Sequence, residues 1–296
     1  MKIYQTRKAL KSSFIVGALL LSFASFVFSQ VKQKPQNVAS NQLLKRTTTK
    51  VETADLSAGG SVTIIGAPSG SISIVAWNKS EVEVTAEITN QAATEEDLIL
   101  LTQANNFVFD EDRNHVRILT TGIHDKNFLK KNFKKFPKRL INSQWSVNYI
   151  VKVPGYCDLD VNAGRGNFDL SGVEGSIVIN ATETETAKLN LIGGDVQATF
   201  GGGNVDVTVN QRSWRGRGAD IQVAKGVLNV QLPANLNAFL DASVLRIGKI
   251  ENTLTNQLKP SDKVKFTDTS IQSKAGTGGA KLAFTIGDGN LRLANK

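Results

Sequence analysis

The sequence predicts an all-β protein: a β-solenoid of short strands with one short helix, and a Greek-key β-sandwich as the alternative. Three observations lead there. From Val51 onward, apolar and polar residues alternate in bursts of about five, which puts Val, Ile and Leu on one strand face and Ser, Asn, Asp and Thr on the other. The bursts open at glycine, the residue for tight bends and positive φ, so each is one strand bounded by a corner. They also resemble one another, as coils do when each buries its apolar face against the next.

Taken in order, the first element is a leader. Lys2, Arg7, Lys8 and Lys11 precede the apolar run Phe14 to Phe28 and the segment Val27-Phe28-Ser29, the order of a secretory signal, with cleavage expected after Ser29. A bilayer span needs about 20 apolar residues, so the run is short for a permanent anchor, and no transmembrane span is expected once the leader is removed. Residues 30–50 are polar, include Pro35 and read as a flexible linker. The rest divides into an N-terminal β segment, residues 51–150, and a repetitive β-solenoid, residues 151–296.

In the first segment the bursts are Gly60 to Ile64 and Gly70 to Ile74. Thr94 followed by Glu95, Glu96 and Asp97 looks like a helix start, and Leu98, Leu100 and Leu101 continue at helical spacing, so one short helix is expected over 94–105, covering a strand edge. A basic loop follows at 126–139. In the second segment the bursts begin at Gly166, Gly175, Gly194, Gly203, Gly218, Gly226 and Gly289.

Composition narrows the function. The only cysteine is Cys157, so no intrachain disulfide can form and stability must come from packing and backbone pairing. The net charge is +9, and loss of the leader leaves 31 basic against 26 acidic residues. Seven of those basic residues sit in one run, Lys126, Lys130, Lys131, Lys134, Lys135, Lys138 and Arg139, interleaved with Phe128, Leu129, Phe133 and Phe136 and free of acids. The basicity is therefore local, and this run is the main candidate for a ligand surface. Its lysines suit lipid headgroups, anionic glycans or nucleic acid, while its phenylalanines suit acyl chains, stacking on bases or simple packing on the β domain. Pro137 and the uneven Phe spacing argue against a clean amphipathic helix. A second basic turn holds Arg212, Trp214, Arg215 and Arg217, and would join the first if the fold brings them together.

Three stretches, read together, carry a family resemblance. Ser71 to Val84 resembles a strand, a turn at Trp77 and a second strand; Val147 to Pro154 resembles a strand closing on Val-Pro; and Gly226 to Pro233 resembles a late repeat ending at proline. Over residues 51–296 the chain resembles the bacterial putative-adhesin domains of unknown function, which are exported, glycine-punctuated β proteins. The resemblance implies a right-handed β-helix-like fold in the cell envelope and an adhesive role. The basic run looks like an addition to that pattern.

Catalytic and metal chemistry has less support. Asp158 and Asp160 share a strand face and Asp169, Asp195, Asp206 and Asp220 recur in the repeats, which leaves a polysaccharide lyase or hydrolase as the alternative. Carboxylates on the polar face of a solvated sheet are nevertheless ordinary. His115 and His124 fall outside the repeats. The stretch Gly201 to Val209 resembles a calcium-binding nonapeptide but occurs once, and Gly276 to Lys281 has no helix after it to make a phosphate loop. The expectation is a non-enzymatic, exported envelope or surface protein with no cofactor, no metal and no specific nucleic acid. Its partner is an anionic envelope polymer, a lipid surface or another envelope protein. Oligomeric state is left open.

Overall fold

The computed structural model describes residues 43–254, 257–260 and 265–296. The expected leader and most of the expected linker lie outside them. The chain enters as β1 (Leu44–Asp55), so residues 44–50, expected as linker, are strand. Next come β2 (Ser61–Ile65), β3 (Ile72–Trp77) and the long β4 (Glu81–Ala92). Helix α1 (Glu95–Ala104) follows, capped by the Thr94 hydroxyl accepting from the Asp97 backbone N–H. The hairpin β5 (Asn106–Asp112) and β6 (His115–Thr121) turns on Arg113 and Asn114, both at positive φ. Helix α2 (Lys126–Asn132) and a 3-10 turn at Lys138–Leu140 lead to β7 (Trp145–Pro154).

The regular part then runs β8 (Asp158–Arg165), β9 (Phe168–Ser171), β10 (Ser176–Glu183), β11 (Thr186–Leu191), β12 (Asp195–Phe200) and β13 (Gly203–Val209). It ends with β14 (Gly218–Leu232), β15 (Ala238–Ile247), β16 (Ile250–Asn252), β17 (Ser270–Ala275) and β18 (Lys281–Asn295). The chain is all-β with two short α-helices among the described residues, one more than expected.

The strands form two ladders. In the first, β6, β2, β8, β10, β12, the first half of β14, the first half of β18, and β15 lie side by side and parallel. Antiparallel β5 and β17 flank its two ends. In the second, the order is β7, β3, β9, β11, β13, the second halves of β14 and β18, then β16, again parallel. Antiparallel β4 and then β1 extend its β7 end. Because β14 and β18 run through both ladders, all strands belong to one continuous mixed sheet. The antiparallel ends are a departure from the uniform stack of parallel coils that the repeats suggested.

Alternation fills the space between the ladders. The registered residues Val116, Val62, Leu159, Ile177, Val196, Ala219, Leu282 and Leu240 make one buried column of the first ladder. Val151, Ile74, Leu170, Leu189, Val207, Val230 and Leu293 make the facing column of the second. Phe168 and Phe200 meet edge to face at 6.2 Å within this core. The lone thiol, Cys157, is buried in it.

Chain order and stacking order part company at both ends. The strands β6 and β7 lie outside β2 and β3, although they come later in the chain. At the other end β18 lies between β14 and the pair β15 and β16, although it follows both. The link from β6 to β7, residues 122–144, therefore occupies a corner that β10–β11 and β12–β13 cross in two residues each.

Candidate functional site

That enlarged corner carries the basic run, and it is folded where the sequence suggested a loop. Asp125 starts α2: its carboxylate accepts from the Asn127 and Phe128 backbone N–H groups at 2.8 and 3.0 Å. The bond from Phe128, helped by that from Asn127 and by His124, holds the Asp125 carboxyl below the usual carboxylate range. Lys130 and Lys131 sit in the last turn, where cations complement the helix dipole. Pro137 stops the chain from continuing as helix, and the 3-10 turn follows it.

The apolar residues of the corner make a second small core. Leu129, Leu140 and Ile123 are buried with Ala92 and with Leu98, Leu101 and Ala104 of α1, and Phe128, Phe133 and Phe136 pack against them half-buried. The three rings meet edge to face, Phe128 with Phe133 at 6.3 Å and Phe133 with Phe136 at 5.4 Å. So the phenylalanines pack on one another and against a cluster drawn from β4, α1 and the corner itself. Two polar ties fix the unit. Arg139 donates to Asp97 of α1 at 2.5 Å, and the Asn105 amide links the Ile123 backbone N–H to Asn90. At the base His124 stacks on Trp145 at 5.3 Å, and burial there pushes the imidazole pKa down.

Arg139 is thus a structural cation, whereas the lysines are not. Lys126, Lys130, Lys131, Lys134, Lys135 and Lys138 are all exposed, and none is in an ion pair among the described residues. Three of them, Lys126, Lys130 and Lys134, rim a shallow recess of about 340 Å³. Its floor is Leu129, Phe133, Phe136 and Ile141. Among the described residues no carboxylate lines it. Chemically this is a place for a ligand with negative charge outside and hydrocarbon within.

The second basic turn does not join it. The 122–144 corner connects the first ladder to the second, whereas residues 210–217 connect the second back to the first, on the opposite edge of the stack. The two are also separated by about four strand spacings, roughly 19 Å. Trp214 is buried, its indole N–H donating to the Gly194 carbonyl at 2.9 Å. Arg215 pairs with Glu174 at 2.6 Å and Arg217 with Asp195 at 2.5 Å. Arg212 is exposed, and its carbonyl accepts from the Asn237 N–H. This turn serves the corner of the stack; three of its four singled-out side chains are occupied internally.

The acidic candidates lie in outward rows. Asp158 accepts from the Ser176 backbone N–H, Asp206 from the Asn229 side chain and Asp220 from Gln222. His115 bonds to Ser61 at 2.6 Å. Among the described residues no three His, Cys, Asp or Glu side chains converge as metal ligands, and no helix there is long and apolar enough to cross a membrane.

Sequence reasoning missed Asp125 as a cap, Ile141 as part of the floor and Asp97 as the partner of Arg139. The first had a signal: an Asp directly before Lys-Asn-Phe-Leu-Lys-Lys is a helix start by the same rule that found Thr94. The other two needed the fold.

No protein-family model and no curated protein matches the chain. Among solved structures, a putative cell adhesion protein from Clostridium sporogenes is similar with a TM-score of 0.42 at 10% identity, over 85% of this chain and 100% of that one. A putative adhesin from Parabacteroides merdae gives 0.31 at 11% identity, over 83% and 95%. A putative lipid binding protein from Parabacteroides distasonis gives 0.31 at 10% identity, over 82% and 96%.

Proposed function

We propose that this chain is an exported, adhesin-like envelope protein without catalytic activity, which binds an anionic surface or polymer through the 122–144 corner. The observation that carries this reading is the set of six exposed lysines without ion-pair partners among the described residues, concentrated on a corner that has its own core and its own tie to α1. Positive charge held on a folded unit, with no acid lining its recess, raises the local concentration of anionic partners. The body is read as a β-solenoid, wound right-handed because parallel strands in one sheet are joined by right-handed crossovers in nearly all cases. The non-enzymatic reading is supported by the placement of Asp158, Asp206 and Asp220, each engaged by a neighbouring donor on a solvated face.

The test is binding of the chain without its expected leader to vesicles and to soluble polyanions across a salt series. A variant with Lys130, Lys131, Lys134 and Lys135 changed to Gln runs beside it. Binding that weakens with salt and is lost in the variant is the expected result. Equal binding by both proteins would overturn the assignment of the site and turn the search toward envelope-protein partners.

A further inference from the structure

We infer that the recess of the 122–144 corner takes an acyl chain of an anionic lipid, so that the corner docks on a lipid surface. This rests on the function proposed above and narrows its ligand. Electrostatics alone would need only lysines on a polar loop. Here Lys126, Lys130 and Lys134 surround Leu129, Phe133, Phe136 and Ile141, and that floor gains nothing from a phosphate chain, and less from a sugar, apolar only on its C–H faces, than from hydrocarbon. Hydrocarbon entering the recess leaves water, and the rings need not unfold to receive it.

The rim fits the same ligand. A lysine carries a four-carbon stem below its ammonium, so it can lie along hydrocarbon while its charge stays at headgroup level. All three rim lysines are exposed, and Lys131, Lys135 and Lys138 add charge around them without lining the recess. The acid nearest in sequence, Asp125, is turned to the α2 backbone by its two hydrogen bonds. Asp97 is held by Arg139 and Glu95 by Arg46. Glu96 of α1 is exposed, but among the described residues no carboxylate lines the recess, so the charge at its rim is that of the lysines. Apolar insertion with surrounding basic charge is the combination by which interfacial elements hold anionic leaflets.

The experiment compares the wild-type chain with Phe136→Ser, with Ile141→Ser and with the four-lysine variant. The probes are phosphatidylglycerol vesicles, phosphatidylcholine vesicles and inorganic polyphosphate, a polyanion with no hydrocarbon. Phe136→Ser and Ile141→Ser should weaken binding to phosphatidylglycerol vesicles about tenfold and leave polyphosphate binding unchanged. The four-lysine variant should lose both. Unchanged resistance to proteolysis within 122–144 reports that the corner is still folded in the serine variants. Independently, Phe133→Trp should be quenched by vesicles with brominated acyl chains more strongly than the native tryptophans of the wild type. Vesicle and polyphosphate binding that are equally indifferent to the serine substitutions, or an unquenched Trp, would overturn the acyl-chain inference and leave the broader anionic reading standing. Absence of lysine-dependent binding to every probe would overturn both.

Discussion

At Gly226 the backbone passes from one ladder to the other with φ at +136°, and a Cβ there would collide with the carbonyl oxygen of Gly203 on the adjacent strand. Gly226→Ala should therefore cost about 3 kcal/mol or more, read as a lowered urea midpoint, from conformational strain and displaced backbone together. Gly155→Ala is the control: its Cβ meets nothing within 4 Å, and the midpoint should move by no more than about 0.5 kcal/mol. That glycines mark corners was legible in the sequence. That they stack on one another was not, because alternation says nothing about which strand lies alongside. Burial gives a second prediction at this scale. It pushes the Cys157 thiol, ordinarily at 9.0, and the Tyr149 phenol, ordinarily at 10.0, up to about 12. The unfolded chain ionises first, so the folded state binds more protons over that interval. Their contribution to stability is complete below pH 9 and is lost as pH rises toward 12. Denaturant midpoints should be insensitive to these groups below pH 9 and fall above it, and Tyr149→Phe should flatten part of that fall. An alkylating reagent should reach Cys157 only on unfolding.

Elements differ in how openly the residues announce them. The bursts at Gly60, Gly70, Gly166, Gly175, Gly194 and Gly203 fall on β2, β3, β9, β10, β12 and β13, because a period of two with a glycine at the corner leaves few other readings. Thr94 announced α1 by its cap. By contrast β1 was read as linker over 44–50, since its residues are polar; its partner β4, which accepts it along all 12 residues, supplies what local sequence does not. The candidate site was half legible. Its charges and rings were visible, but Pro137 disguised a helix that ends five residues earlier, and the packing on Leu98 and Leu101 was beyond any local pattern. The Arg139–Asp97 pair makes the element testable. Asp97 is buried to 7% exposure, so Arg139→Gln leaves a carboxylate without its cation. We expect about 1 kcal/mol of lost stability, discounted because Arg139 is itself well exposed. Faster proteolysis within 122–144 should accompany it, while cleavage within β8 to β14 stays unchanged.

For the whole molecule, the sequence exposes the parts more readily than their order. Many of the strands present similar Val, Ile and Leu alternation, so nothing in a single burst dictates that β18 enters between β14 and β15. Its 15 residues register with β14 along nearly their full length on one side and with β15 and β16 on the other. Removing residues 281–296 therefore bares two parallel edges at once, and the shortened chain should lose its cooperative unfolding transition and aggregate. A truncated chain with an unchanged transition would show that the slot closes without its strand. The same insertion decides how the molecule would bear tension. A pull on Lys296 must tear β18 from neighbours on both flanks, whereas a pull on Leu44 meets β1, which pairs with β4 alone among the described strands. Under load between Leu44 and Lys296, β1 should yield before β18.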